Sequence, residues 1–417
     1  MAQRVLTLWR HEGAFLITAT LLALALRFVY VAVFIGPGYV PERDAREYSD
    51  IAVQLVQGQG FRLANGQVTA IRSPLFPLLL AGVYLLHGED YRLALAEQAL
   101  IGAALAPAVY LAGKRAFSPL AGRLAALIAA TYPLLMWAGG SLLSEPLFIL
   151  LVVLAMAAAL GAVTEGRMRH YAWAGAWSGL AWLTRPNGLW LLPFLLCWLL
   201  VAGAGALKVR ARGFLVACLV ALAVAAPWIA RNFFVFDKFI PTTTGGGFVA
   251  LGAYNERVLT EPQLQGSWVS PCLVPELNWT CVLPEVPRDA AQMRAAFDFV
   301  RGHVGDLPRM AGGRFVNFWH LYPFTHGFPE NVGFYYYVVV ALLAIAGVWV
   351  TRARWRWTGV LLGTIACFMI AGLLLWADAR MRLPAEPALI VLAAGLLSFC
   401  WEYACSAASR STTRAAH

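Results

Sequence analysis

Charge is scarce in this chain. Asp, Glu, Lys and Arg make up 13% of its 417 residues while 60% are hydrophobic, against about 25% charged residues in soluble domains. That shortage excludes an ordinary water-soluble enzyme. Cysteine is scarce too: seven residues, with Cys197, Cys218, Cys367 and Cys400 inside apolar runs, cannot build a disulfide scaffold or a metal motif. No glycine-rich nucleotide loop is seen. The first apolar run, 14–35, lacks a small-residue cleavage site before Pro37 and is expected to be a retained span, not a removed signal. The net charge of +10 could suit nucleic acid, but most Lys and Arg sit in short clusters between apolar runs, where they orient a chain in a bilayer. No nucleic-acid partner is expected.

What is present is the pattern of an all-α polytopic membrane protein, with long apolar runs recurring from Ala14 to Cys400. The basic clusters are Arg4/Arg10, Lys114/Arg115/Arg123, Arg167/Arg169, Lys208/Arg210/Arg212, Arg352/Arg354/Arg356 and Arg410/Arg414, and positive-inside bias assigns all of them to the cytoplasm. Between them lie about ten expected spans, near 14–35, 93–112, 120–140, 146–163, 171–185, 188–205, 213–230, 332–350, 358–377 and 386–405. The run from Ser73 to His87 carries Pro74 and Pro77 and falls short of the roughly 20 residues a span requires. It is expected to lie in the outer interface.

Two outward loops follow from this topology, 36–92 and 231–331. The chain divides into an N-terminal transmembrane module (1–230, including outer loop 36–92), an extracytoplasmic loop domain (231–331), and C-terminal helices with a cytoplasmic tail (332–417). The larger loop has turn signals at Thr244-Gly245-Gly246-Gly247 and between Pro262 and Pro287, then a helix near 289–301. Cys272 and Cys281 fall in it, either as a disulfide closing a short hairpin or as two partly buried thiols.

Polar residues gather at the outer side. In Arg43-Asp44-Ala45-Arg46-Glu47-Tyr48, helical spacing puts Asp44, Tyr48 and Ile51 on one face, so Asp44 is either a first-turn cap or a carboxylate held at the membrane surface to accept a proton. Glu145, in Ser144-Glu145-Pro146, reaches the same depth; either Ser144 merely caps the next helix there, or the two acids converge. Arg72, Arg231, Arg380 and Arg382 run against the positive-inside bias. One of them could be a structural pair, such as Asp378 with Arg380, but several at one depth suit a phosphate. Arg27 lies mid-span and needs a partner, for which Glu97 is the candidate, and Arg185 at its turn is equally ambiguous. Trp268, Trp279, Trp319, His320 and His326 are candidates for acceptor contacts.

Taken in order, Arg43-Asp44-Ala45 through Tyr48, Gln57-Gly58, Arg72-Ser73-Pro74-Leu75, Ser144-Glu145-Pro146-Leu147, Leu183-Thr184-Arg185-Pro186-Asn187-Gly188, Pro227-Trp228 through Asn232, and Arg380-Met381-Arg382-Leu383-Pro384 give a chain that resembles the GT-C superfamily of polytopic membrane glycosyltransferases. It is most similar to bacterial relatives of the protein O-mannosyltransferase and lipid A aminoarabinose transferase families. The resemblance implies a GT-C-type fold with interfacial helices in the first outer loop. It also implies inverting transfer of a sugar from a polyprenyl-phosphate donor to a glycolipid, polysaccharide or protein hydroxyl, at the outer face of a bacterial cytoplasmic membrane. By position Asp44 would be the general base and Glu145 the second acid, where relatives usually carry aspartate. Tyr48, Arg72, Arg231, Arg380 and Arg382 would bind substrate, Arg72 standing one residue away from the family's usual lysine before proline. No cofactor is expected, although Asp44 and Glu145 could share a divalent ion. A flippase for lipid-linked sugars is the competing class; it should show paired internal repeats, which are not evident.

Overall fold

The computed structural model describes residues 2–320 and 328–415, and among these the fold is helical, with one isolated bridge between Arg62 and Val68. The chain begins with α1 (Ala2–Tyr30), which widens into a π-helical turn, Val31–Ile35. Two helices stand between it and the next long one: α2 (Arg43–Val56) and α3 (Leu75–His87). Then come α4 (Tyr91–Ala116), α5 (Pro119–Thr131), the short α6 (Pro133–Trp137), α7 (Glu145–Glu165), α8 (Met168–Thr184), α9 (Gly188–Ala202) and α10 (Leu207–Phe236). The segment after α10 holds α11 (Gly246–Ala253), α12 (Glu256–Thr260), α13 (Glu285–Gly302) and α14 (Leu307–Trp319). The chain closes with α15 (Phe328–Val350), α16 (Trp355–Leu374), α17 (Ala379–Arg382) and α18 (Glu386–Ala415).

Helix α7 is the centre of the bundle, packed on α4, α8, α9 and α16, and its apolar residues are buried nearly all round. A helix apolar on every side is stable only inside such a shell. Small residues let neighbours approach, as is usual where helices pack without water. A Cβ on Gly175 of α8 would lie 2.3 Å from the Ala217 carbonyl of α10, and one on Gly113 of α4 would lie 3.0 Å from Gly122 of α5. At the rim, α1 and α10 keep Ile17, Leu21, Leu215 and Leu219 exposed, the surface expected against lipid tails.

Among the described residues seven helices are long and apolar enough to cross a bilayer, not ten: His11–Ile35, Tyr91–Ala116, Glu145–Glu165, Leu207–Phe236, Asn331–Val350, Arg352–Leu374 and Ala379–Ala407. The other three expected spans are helices too, α5, α8 and α9, but they are shorter. The chain is thus a multi-pass membrane protein. The 13-residue α3 lies beside α2, α4 and α8.

Several of the basic clusters meet at one end of the bundle. There Arg354 donates to the Ala116 and Phe117 carbonyls, Arg356 to Ala202, Arg210 to Leu200 and Val201, and Arg115 to Ala157. Ala116 and Ala202 are the last residues of α4 and α9, so guanidinium groups there satisfy carbonyls that a helix end leaves unpaired.

Candidate functional site

At the opposite end acidic residues and arginines meet in one row. Asp44 sits in the first turn of α2, directly after Arg43, whose φ of 49° is unusual for a residue with a side chain. Its carboxylate caps nothing. Oδ1 accepts from Arg72 Nη2 at 2.7 Å and Oδ2 from Arg380 Nη2 at 3.1 Å. Arg72 also donates from Nε to Glu47 at 2.7 Å, one α2 turn from Asp44. Arg380 reaches Glu145 through Nε, and Arg185 binds the same Glu145 oxygen at 2.7 Å. The result is one alternating row, Glu47, Arg72, Asp44, Arg380, Glu145, Arg185, in which three carboxylates meet three guanidinium groups.

Five separate stretches of chain supply this row, Asp44 and Glu47 coming from α2. Arg72 comes from the loop before α3, a loop fixed at Thr69 and Phe61 by Arg231 and at Ala70 by Glu285. Glu145 begins α7 and is 2% exposed. Arg185 ends α8, and Arg380 belongs to α17. Ser144 does not cap α7; its hydroxyl meets Tyr48 at 3.1 Å and accepts from Arg185 at 3.2 Å. Asp378 caps α17 through Met381 N and forms no ion pair with Arg380.

Burial alone would raise the Asp44 pKa, but Arg72 and Arg380 outweigh it and hold the carboxyl below the usual range. With both oxygens engaged it is a weak proton acceptor. An anion that drew the arginines away would release it. Neutralised rows of this kind are exchangeable, because a phosphate offers guanidinium the same bidentate geometry as a carboxylate.

Asp44, Arg72, Glu145 and Arg380 therefore converge. Tyr48 lies beneath them, 5% exposed, with its ring edge-on to Phe76 at 5.0 Å and the Arg72 guanidinium 5.3 Å from its centroid. Two expected ligands do not join. Arg382 is two residues from Arg380 on a helical turn, a spacing that puts side chains on different sides. It is buried against Glu386 at 2.5 Å, the Phe318 carbonyl and the Tyr337 ring, while Glu386 also accepts from Tyr132 at 2.6 Å. Arg231 is spent on the carbonyls of Thr69 and Phe61 and on the rings of Phe61, Trp228 and Phe236. The expected Arg27–Glu97 pair is absent as well: Arg27 donates to the Ala23 and Ala130 carbonyls, and Glu97 Oε2 has no partner.

Glu47 is not among the sequence candidates, and Arg185, which the sequence leaves between a structural and a functional role, joins the row. Cys272 and Cys281 are joined as a disulfide. Trp268 packs on Phe248 and Trp376, Trp319 on Phe315 and Phe318, and Trp279 is exposed. His320 is buried after α14, and His326 lies outside the described residues. Among the described residues no three His, Cys, Asp or Glu side chains cluster to hold a metal ion.

Residues 71–230 match the family model described as dolichyl-phosphate-mannose-protein mannosyltransferase. Among solved structures, the Archaeoglobus fulgidus oligosaccharyltransferase in the apo form is 16% identical with a TM-score of 0.62, covering 96% of this chain and 52% of its own. The same archaeal enzyme, AglB, in complex with an inhibitory peptide and a dolichol-phosphate gives the same values. ArnT from Cupriavidus metallidurans bound to undecaprenyl phosphate is also 16% identical, with a TM-score of 0.44 over 90% of this chain and 76% of its own. The chain thus spans about half the length of the archaeal enzyme. No curated protein matches the sequence. The likeness shows that this chain shares the fold of the archaeal oligosaccharyltransferase.

Proposed function

We propose that this chain is an inverting glycosyltransferase that moves a sugar from a polyprenyl-phosphate donor to an acceptor hydroxyl. The observation that carries this reading is Asp44 bridging Arg72 and Arg380, a carboxylate and two cations within hydrogen-bond reach of each other. The donor phosphate takes the two guanidinium groups, which balance its charge as the glycosidic bond breaks. Asp44, relieved of them, accepts the proton of the acceptor hydroxyl as its oxygen attacks the anomeric carbon from the opposite face. Glu145 and Glu47 hold the arginines in place throughout. The family match over 71–230 and the dolichol-phosphate named with the archaeal relative support a lipid-phosphate donor. Arg380 already bridges Asp44 and Glu145 where a shared divalent ion would sit, which supports transfer without a metal.

The same reading has ten spans, with α5, α8 and α9 completing the seven longer ones. At 1.5 Å per residue, the 17-residue α8 covers about 25 Å of a core roughly 30 Å thick, and its neighbours shield the difference. The site faces outward from a bacterial cytoplasmic membrane, and the segment 231–331 forms an extracytoplasmic domain that selects a glycolipid, polysaccharide or protein acceptor.

The test is mass spectrometry of lipid-linked sugars and surface glycans in a strain lacking the chain. A polyprenyl-phosphate sugar should accumulate beside a truncated acceptor, and Asp44→Asn should fail to restore it. Full restoration by Asp44→Asn would end this reading.

A further inference from the structure

Glu145 is not exhausted by its arginines. Both guanidinium groups bind Oε1, while Oε2 is buried with no hydrogen-bond partner. A buried, unsatisfied carboxylate oxygen is costly and calls for a missing partner. Glu145 lines a cavity of about 260 Å³ whose other walls include Tyr30, Ile35, Trp137, Gly140 and Ser141. That volume lies just below the roughly 300–1,000 Å³ of pockets for drug-sized ligands, and suits one ring better than a chain of them.

The walls are built rather than accidental. Tyr39 reaches across from the segment before α2, its hydroxyl 3.1 Å from Ser141 Oγ and accepting from Leu142 N at 3.0 Å, and Gln98 donates to the Leu143 carbonyl at 2.9 Å. A Cβ on Gly140 would stand 2.8 Å from the Tyr30 ring and 3.0 Å from Ile35 Cδ1, so glycine here keeps those two walls where they are. A buried acceptor oxygen without a partner, on a residue that lines a cavity with aromatic walls, matches the chemistry of a sugar, with hydroxyl donors on its edge and C–H groups on its face. An isoprenoid would suit the apolar walls but leave Oε2 unsatisfied.

We infer that this cavity seats a single sugar ring, one of whose hydroxyls donates to Glu145 Oε2. The inference rests on the transferase reading above and extends it, since Arg380 links Glu145, a wall of the seat, to Asp44. The ring belongs to the lipid donor or to the acceptor.

Thiol labelling of a Ser141→Cys variant of the full chain in nanodiscs separates the sources, with modification at position 141 read by mass spectrometry so that native thiols do not interfere. If the seat is the donor's, undecaprenyl phosphate carrying mannose slows labelling about fivefold more than bare undecaprenyl phosphate, the worth of one hydrogen bond. If it is the acceptor's, methyl mannoside, glucoside or galactoside slows labelling instead. Adding Gly140→Ala should remove either protection and leave binding of the bare lipid unchanged. Protection by the bare lipid equal to that by its mannose form would give the cavity to the isoprenoid and overturn the inference, as would protection by none of these ligands. Those failures leave the transferase reading standing. A chain that does not bind undecaprenyl phosphate at all would take both down.

Discussion

Arginine does two different jobs at the two ends of this bundle. At the end with the basic clusters, Arg115, Arg210, Arg354 and Arg356 donate to helix carbonyls and hold helix to helix. At the other end, Arg72, Arg185 and Arg380 are matched one for one with carboxylates. Carboxylate and phosphate compete for the same fork of donors; a peptide carbonyl does not. A row that holds three arginines with three acids is therefore one where an incoming phosphate can rearrange charge.

Substitutions should separate the two ends by size of effect. Asp44→Asn is expected to lower transfer most, by about 10²–10⁴-fold, the range for removing a general base, while binding of undecaprenyl phosphate measured on the same variant is retained. Arg380→Met should lower transfer by about 10²-fold or more, as the loss of one electrostatic contact to a leaving group does, with the chain still folded. Arg382→Met, two residues on, should act on folding instead. It breaks a fully buried pair, a change worth about 3–5 kcal/mol, visible as reduced yield of folded protein and a lower melting temperature. If Arg380→Met and Arg382→Met behave alike, the division drawn on either side of α17 is wrong.

Acid sharpens the same contrast. Burial pushes the Asp44 carboxyl up, but Arg72 and Arg380 prevail and keep it below its unfolded value, so the stability from this pairing is fully present above that value, about 3.9, and is lost only as pH falls through the lower folded one. Thermal melts should be insensitive to Asp44 down to about pH 5, and Arg72→Met should move the onset of acid loss upward. The smallest effect is expected at the other end, where Arg354→Ala should leave transfer within about twofold of the unsubstituted chain in a direct rate assay, as surface changes usually do.

The gathering of these residues at one end of the bundle was legible in the sequence; direction around a helix was not. Sidedness of the charges brought Asp44, Arg72, Glu145 and Arg380 to one end, and they meet there. It could not tell Arg380 from Arg382, because a four-residue helix turns them apart, nor foresee that Arg231 would be used on the carbonyls of Thr69 and Phe61. Arg185 was passed over although its turn lies at the same depth, since pairing depends on which residue another segment brings alongside. Span lengths escape the sequence for a similar reason: apolar composition does not record where Pro119 and Gly188 start helices too short for a bilayer on their own.

Glu285 gives the segment after α10 mechanical purchase on the site. Its Oε1 holds both the Ala70 amide at 2.7 Å and the Thr244 hydroxyl at 2.5 Å, from the first residue of α13. A tilt of α13 would tug the peptide two residues ahead of Arg72, and so reach Asp44 as a changed grip.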